Sequence, residues 1–260
     1  MSAGTRTAMT GAASPRRLAV AASMLCMLIL AGCSAPRDAM PLGGALNVLG
    51  PDQAFIEAVS VGELPPGWEI SGDMPDAALS IRSVDGYRAV AVTPGATPFA
   101  LLRRTQASLL ATPFLSWAWH AEAPAGGAHP VRIIVGLTDR SAKPERAWWQ
   151  LGGGDGMTRV IQLVWNETAL GRGTVIGPRI EKGRPQSARY IARGGPEQAG
   201  RWWTDAVDLS LIHRQVWPND NPATTDVRFI GIAVQAARPD ARTAKHPPVG
   251  MNIAAVRLMR

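Results

Sequence analysis

PFLSWAWH, residues 113–120, alternates large apolar side chains with smaller or polar ones. In an extended strand alternate side chains lie on the same face, so Leu115, Trp117 and Trp119 share one apolar face. After a short loop, PVRIIVGLTD at residues 130–139 has the β-branched content of a strand that is buried on at least one side. We expect the two segments to be adjacent strands of one sheet, with the tryptophan face in the core.

Short apolar runs separated by turn residues continue along most of the chain. The predicted strands lie at residues 54–61, 68–71, 77–84, 87–93, 99–105, 113–121, 131–138, 160–166, 187–192, 202–207, 227–236 and 251–259. Asp85-Gly86 separates two of them and favours a type I′ turn, which needs positive φ at both central residues.

One segment has a different period. In DLSLIHRQVW, residues 208–217, apolar side chains recur at helical spacing behind Asp208, which is a good N-cap residue, and Pro218 follows. The complete pattern predicts an all-β fold: an antiparallel β-sandwich of jelly-roll, galactose-binding-like type with one short helix.

The N-terminus has the pattern of a lipoprotein signal peptide. Three arginines precede an apolar run at residues 18–30, which is too short for a typical membrane-spanning helix. The following Leu30-Ala-Gly-Cys33 resembles the bacterial lipobox, in which the cysteine is lipidated and the preceding peptide is removed. We therefore expect a signal peptide at residues 1–32 and a membrane anchor through lipid on Cys33. An ordinary signal peptide with an incidental cysteine, or an uncleaved membrane helix, is the alternative.

The residues after Cys33 indicate the location and organisation of the mature protein. By analogy with lipoprotein sorting, Ser34 in place of aspartate favours the periplasmic face of the outer membrane. Residues 33–50 are rich in small residues, proline and glycine and are expected to form a tether, and residues 51–260 a single domain. Both cysteines, Cys26 and Cys33, precede this domain, so it contains no disulfide.

The strands described first carry a resemblance to a bacterial family known as domain of unknown function 3047. Its motifs are matched by Leu115, Ser116, Trp117 and Trp119, by residues 132–137, by Val164 and Trp165, by Asp208, Leu209 and Trp217, and by residues 231–233. The resemblance implies a similar fold and assigns no reaction. Two acidic segments of the family are replaced here by residues 126–130 and 235–240, which implies that any acidic site of the family is lost or altered.

Motifs for catalysis and cofactors are absent or weak. His120, His129, His213 and His246 lack the spacing of a zinc site. His120 and His129 flank one loop and are expected to be solvated, and the alternative is that they meet across a hairpin. The glycine-rich residues 151–156 lack the Lys-Ser/Thr of a phosphate-binding loop and predict a surface loop. Basic residues are scattered despite a formal net charge of +7, which argues against nucleic-acid binding. We expect no metal, no cofactor and no assigned catalytic residue.

Tryptophans are the best candidates for ligand contacts. Trp148-Trp149 and Trp202-Trp203 are adjacent pairs, so in a strand one member of each pair points away from the other. An outward indole could stack on a sugar ring, with Arg132 supplying hydrogen bonds, which makes Trp148, Trp149, Trp202 and Arg132 the candidate ligand-binding residues. The alternative is that these indoles pack beneath a loop or helix.

The sequence thus predicts a lipid-anchored periplasmic protein that binds a glycan or another envelope polymer. One alternative is a periplasmic glycoside hydrolase, which requires two converging carboxylates from candidates such as Glu63, Glu122, Glu167, Asp205 and Asp208. The other is an envelope lipoprotein that binds a protein partner through an exposed apolar patch or an open edge strand.

Overall fold

A computed structural model describes residue 39 and residues 43–122, 127–140, 159–181, 184–236 and 249–260 of the protein. The helices are α1 (Gln53–Ser60) and α2 (Leu209–Val216). The strands are β1 (Ala45–Leu49), β2 (Trp68–Gly72), β3 (Leu79–Val84), β4 (Tyr87–Val92), β5 (Phe99–Ser108), β6 (Phe114–Ala121), β7 (Val131–Asp139), β8 (Arg159–Asn166), β9 (Val175–Ile176), β10 (Arg179–Glu181), β11 (Arg184–Gln186), β12 (Ala188–Gly194), β13 (Trp202–Asp208), β14 (Thr225–Val234) and β15 (Met251–Met259).

The strands form a β-sandwich of jelly-roll type. Sheet I has the order β13-β6-β15-β4-β3, with β1 also paired to β15, and sheet II has the order β2-β5-β14-β7-β8-β12-β9. Among the described strands, the pairs are antiparallel except for β12 and β8, which are parallel. The predicted all-β sandwich is therefore confirmed, and one parallel pair is added to it.

The core lies between the two sheets and contains a tryptophan cluster. Trp117 and Trp119 of β6 and Trp165 of β8 are almost completely buried. The ring of Trp119 lies edge-on to both neighbours, with centroid distances of 5.5 Å to Trp117 and 5.7 Å to Trp165. Because β6 and β8 belong to different sheets, the contact between Trp119 and Trp165 joins the sandwich across its interior. The predicted burial of the tryptophan face is confirmed.

The predicted pairing of the segments at residues 113–120 and 130–139 is wrong. Strand β6 lies between β13 and β15 in sheet I, whereas β7 lies between β14 and β8 in sheet II. The two strands follow each other along the chain but lie on opposite sides of the core. Their connection, residues 122–130, is long enough to cross the roughly 10 Å between packed sheets, which a tight hairpin turn cannot do.

The Asp85-Gly86 turn is confirmed. Asp85 has φ of 50° and Gly86 has φ of 81°, and the ladder of β3 and β4 runs up to the pair Val84 and Tyr87. Both central residues therefore have the positive φ that a type I′ turn requires, and the turn matches the right-handed twist of the two strands.

The described residues contain two α-helices where one helix was predicted. Helix α2 is confirmed, since the Asp208 carboxylate accepts a hydrogen bond from the Leu211 N–H at 3.0 Å. Residues 54–61 were predicted as a strand, but most of them belong to α1. Its N-cap is Asp52, whose carboxylate accepts from the Phe55 N–H at 3.3 Å. The buried residues Phe55, Ile56 and Val59 have helical spacing, so this segment forms a helix and not the predicted strand.

Part of the predicted tether belongs to the fold. Ala45–Leu49 forms β1 and pairs with β15, and Leu46, Val48 and Leu49 are buried. Within the described residues, none of the helices is long and apolar enough to cross a membrane. Cys33 lies outside the described residues.

Candidate ligand-binding groove

A groove of about 720 Å³ opens where β15 changes its partner. Met251, Asn252 and Ile253 of β15 pair with β4, whereas the residues from Val256 onward pair with β1, and the register shifts between them. Strand β2, at the edge of sheet II, and helix α1 complete the walls. The groove is lined by Asn47, Val48, Leu49, Gly50, Pro51, Asp52, Ala54, Phe55, Pro65, Trp68, Arg103, Ala254, Ala255 and Arg257.

An aromatic pair forms one wall of the groove. The ring centroids of Phe55 and Trp68 are 4.4 Å apart, with the ring planes inclined by 40°. Phe55 belongs to α1 and is buried, whereas Trp68 is half-buried and lines the groove. The groove therefore combines concave shape with an indole surface, which is the usual form of a small-molecule or sugar site.

Arg103 fixes the groove's polar side. It lies opposite Trp68 in the β2–β5 ladder, and its guanidinium carbon is 5.7 Å from the centroid of the Trp68 ring. Its Nη1 donates to the carbonyl of Asn47 and, at 3.2 Å, to that of Val48. Burial lowers the pKa of Arg103 below its ordinary value. The cation is thus held in a partly desolvated position against the main chain of β1.

Arg257 adds a second cation. It lies opposite Asn47 in the β1–β15 ladder, and its side chain is exposed. Among the described residues that line the groove, Asp52 is the carboxylate, and it caps α1 through the Phe55 N–H. The described lining therefore carries two guanidinium groups and one carboxylate.

The candidate carboxylates for hydrolysis do not converge in the groove. Asp205 is buried and accepts two hydrogen bonds from Arg193, at 2.8 Å from Nη2 and 2.9 Å from Nε, and one from Trp119 Nε1 at 3.0 Å. Asp208 caps α2, and neither Glu63, Glu122 nor Glu167 lines the groove. Within the described lining, the paired carboxylates of a glycoside hydrolase are absent.

Trp202 faces the outside of sheet I, but its side chain makes contacts within the protein. Its Nε1 donates to the carbonyl of Val84 at 3.0 Å, and its ring centroid lies 5.6 Å from Tyr87 and 5.7 Å from His120. Trp203 instead lies against Arg193, whose guanidinium carbon is 3.8 Å from the centroid of the Trp203 ring. The two indoles separate as predicted, and Trp202 holds the tip of the β3–β4 hairpin.

Arg132 and Trp202 belong to different sheets, and neither lines the groove. Arg132 belongs to β7 of sheet II and donates from Nη1 to Gln162 Oε1 at 2.6 Å, whereas Trp202 belongs to β13 of sheet I. Their role in ligand binding stays a prediction. Trp148 and Trp149 lie outside the described residues, as do residues 151–156.

Sequence reasoning missed the groove because its residues come from separate elements. Trp68 lay in a predicted strand and Arg103 in another, and their adjacency follows from the pairing of β2 with β5. One signal was present in the sequence: Phe55, Ile56 and Val59 have helical spacing behind Asp52, which predicts α1 and its buried aromatic ring.

The expected exposure of the loop histidines is wrong. His129 is completely buried, its Nδ1 accepts from the Val131 N–H at 3.1 Å, and its Nε2 lies 3.3 Å from the Gly250 carbonyl, to which it donates. Burial lowers the pKa of His129 to about 4. His120 is buried beside Trp202. His246 lies outside the described residues, and among those described no three histidine, cysteine or acidic side chains converge on a metal position.

No family model and no curated protein matches the chain. Among solved structures, a carbohydrate-binding module with specific mannan recognition covers 83% of this chain and 98% of its own, with 14% identity and a TM-score of 0.32. A family 11 carbohydrate-binding module from Clostridium thermocellum, in complex with a β-1,3-1,4-mixed-linked tetrasaccharide, covers 83% and 95%, with 9% identity and a TM-score of 0.33. A family 12 xyloglucanase from Bacillus licheniformis covers 82% and 91%, with 11% identity and a TM-score of 0.38. The ligand of the groove therefore has to be inferred from the groove's own residues.

Proposed function

We propose that the protein is a binding protein of the cell envelope whose groove takes up a segment of a glycan. The observation that carries this proposal is the groove itself, in which the half-buried Trp68 lies between the buried Phe55 and the cation Arg103. An indole contributes a flat apolar surface to a sugar ring, and fixed polar groups orient its hydroxyls. Asn47 and Asp52 at the rim supply such groups.

Binding without cleavage agrees best with the charges in the groove. Hydrolysis of a glycosidic bond uses two carboxyl groups about 5 to 10 Å apart, one as acid and one as base or nucleophile. The described lining contributes only Asp52, and its carboxylate already accepts a hydrogen bond from the N-terminus of α1. Two arginines are also more suited to holding a ligand than to transferring its protons, because a guanidinium stays protonated.

The attachment to the envelope is part of the same proposal. Lipidation of Cys33 would hold the domain on a membrane, and Ser34 favours the outer membrane. A domain held at the periplasmic face would meet envelope polymers at high local concentration. A lipid anchor and a glycan groove together define a protein that retains or positions a polymer, with an envelope protein as the alternative partner.

Affinity electrophoresis of the full chain in detergent would test the groove. The gel would contain mannan, mixed-linkage β-glucan, hydroxyethyl cellulose or polygalacturonate. We expect at least one polymer to retard the wild-type chain, and Trp68→Ala to abolish the retardation because the indole surface is lost. Tyr87→Ala, which removes an aromatic ring exposed outside the groove, should be retarded like the wild type.

A second variant separates loss of the site from loss of the fold. Ala54 is exposed on α1 and lines the groove, so Ala54→Trp should fill the groove without removing a core contact. Ser60→Trp places the same indole at the other end of α1, outside the groove. Retardation lost in Ala54→Trp and kept in Ser60→Trp would support the proposal. Retardation of both variants to the same extent, or of no chain by any polymer, would overturn it.

A further inference from the structure

The described lining of the groove carries more positive than negative charge. Among the described lining residues, Arg103 and Arg257 are cations and Asp52 is the anion, and Asp52 is engaged at the N-cap of α1. None of the other described residues forms an ion pair with Arg257, and its side chain is exposed at the rim. An arginine without an acidic partner at the edge of a concave site is available to a ligand.

Both arginines lie next to Asn47 of β1. The carbonyl of Asn47 accepts from Arg103, and the residue opposite Asn47 in the ladder is Arg257. Arg103 is held by two carbonyl groups and by contact with Trp68, so its guanidinium loses little additional freedom when a ligand binds. Its partial desolvation strengthens attraction to an anion, because nearby water screens it less.

We propose that the groove selects polysaccharides that carry carboxylate groups over neutral polysaccharides of the same backbone. This inference rests on the proposed function of the groove as a glycan site. Guanidinium groups bind carboxylates through paired, charge-assisted hydrogen bonds, whereas a neutral sugar offers hydroxyls only. Trp68 and Phe55 supply the surface that any sugar ring would use, and the arginines supply the preference for the acid.

The test compares one polymer in two charge states. Polygalacturonate and its methyl ester share a backbone and differ in the charge of the carboxyl group, and each would be titrated into the full chain in detergent. At low ionic strength we expect polygalacturonate to bind about tenfold more tightly than the ester, which corresponds to roughly 1.4 kcal/mol. Added salt should reduce the difference, because the interaction lies at a solvent-exposed rim.

Two variants assign the preference to the groove. Arg257→Gln should lower affinity for polygalacturonate about tenfold and leave affinity for the ester unchanged, whereas Arg82→Gln, an exposed position on β3, should leave both unchanged. Asp52→Asn keeps a residue that caps helices and removes the negative charge, so it should tighten binding of the acid about threefold or more. A structural role of Asp52 would not predict this gain.

The outcomes separate this inference from the proposed function. Equal affinity for the acid and its ester, with loss of both in Ala54→Trp, would overturn the acidic preference and leave the glycan site intact. An acidic preference that Arg257→Gln does not reduce and Asp52→Asn does not increase would also overturn it, because the preference would then come from elsewhere. Binding of neither polymer, together with no retardation by the neutral polymers, would overturn both.

Discussion

His129 is held neutral by two main-chain hydrogen bonds in the interior. Its Nδ1 accepts from the Val131 N–H, so the proton of the neutral ring is on Nε2, which points to the Gly250 carbonyl. Protonation would place a donor on Nδ1 against another donor. Burial is the largest cause of the lowered pKa, and the hydrogen bond from Nε2 to the Gly250 carbonyl opposes it. A histidine in a loop sequence has therefore become part of the packing between β7 and β15.

Acid should destabilise the protein through His129. The folded-state pKa of about 4 lies below the ordinary 6.5, so the unfolded chain takes up the proton first as the pH falls. The stabilisation is complete above pH 6.5 and is lost towards pH 4, by about 3 kcal/mol in total. Urea unfolding between pH 7 and pH 4 should show this loss, and His129→Gln should have a flatter pH dependence. Parallel pH profiles of the two chains would contradict the assignment.

At the scale of the element, α2 depends on one carboxylate. Asp208 accepts from the Leu211 N–H at 3.0 Å and from the Ser210 hydroxyl at 2.6 Å. Helix α2 then buries Leu209, Ile212 and His213. The cap fixes where the helix begins, and this start sets which of its residues face the core.

Removal of this cap should cost stability in proportion to the lost hydrogen bond. Asp208→Ala is expected to lower the free energy of unfolding by about 1 kcal/mol, whereas Asp208→Asn, which retains the acceptor, should change it by a few tenths. Chemical denaturation at pH 7 measures both. Equal losses in the two variants would show that charge at this position, and not the cap geometry, stabilises α2.

Local patterns predicted elements well and their partners poorly. The strands expected at residues 113–121, 131–138, 160–166 and 251–259 differ from β6, β7, β8 and β15 by at most one residue at either end. The Asp85-Gly86 turn is set by its own φ preferences and was predicted as observed. Which sheet a strand joins depends on residues far along the chain, so the separation of β6 from β7 had no local signal.

The groove had still less of a signal. It combines β1, α1, β2, β5 and β15, and no short segment contains two of its charged side chains. Arg103 was an ordinary charged residue in a predicted strand until its pairing with Trp68 was known. Trp202 has a side chain that often binds sugars, but its indole nitrogen donates to the carbonyl of Val84. Sequence indicated that aromatics matter and could not tell which of them face a ligand.

At the scale of the whole molecule, one buried ion pair joins the two sheets. Arg193 belongs to β12 of sheet II and Asp205 to β13 of sheet I, and both side chains are more than nine-tenths buried. The Asp205 carboxylate also accepts from Trp119, and the Arg193 guanidinium lies over the ring of Trp203. The pair therefore closes this side of the sandwich.

Loss of either partner should be more costly than loss of both. Asp205→Ala leaves a buried, uncompensated guanidinium and is expected to lower the free energy of unfolding by about 3 kcal/mol or more. Arg193→Met combined with Asp205→Leu should recover part of that loss, because two apolar groups need no partner of their own, while the buried Trp119 Nε1 still loses its acceptor. A double-mutant cycle by urea unfolding measures the coupling. Additive losses would show that the pair contributes no interaction of its own.

Membrane attachment is tested by comparing the two cysteines. Cys33→Ser removes the sulfur that would carry lipid, whereas Cys26→Ser changes only the apolar run before it. In a Gram-negative host fed an alkyne fatty acid, we expect label on the wild-type and Cys26→Ser chains and none on Cys33→Ser. The unlabelled variant should also keep residues 1–32, which intact-mass measurement detects. Label on Cys33→Ser would contradict lipidation at this residue.

Strand β15 comes last among the described strands along the chain but occupies the interior of sheet I. It pairs with β6 along its whole length, with β4 at its start and with β1 at its end. Sheet I can therefore be completed only after residue 259 has been synthesised. Until then β1, β4 and β6 expose unpaired edges, and such edges are targets for chaperones, proteases and aggregation. During synthesis these edges stay unpaired until β15 has left the ribosome.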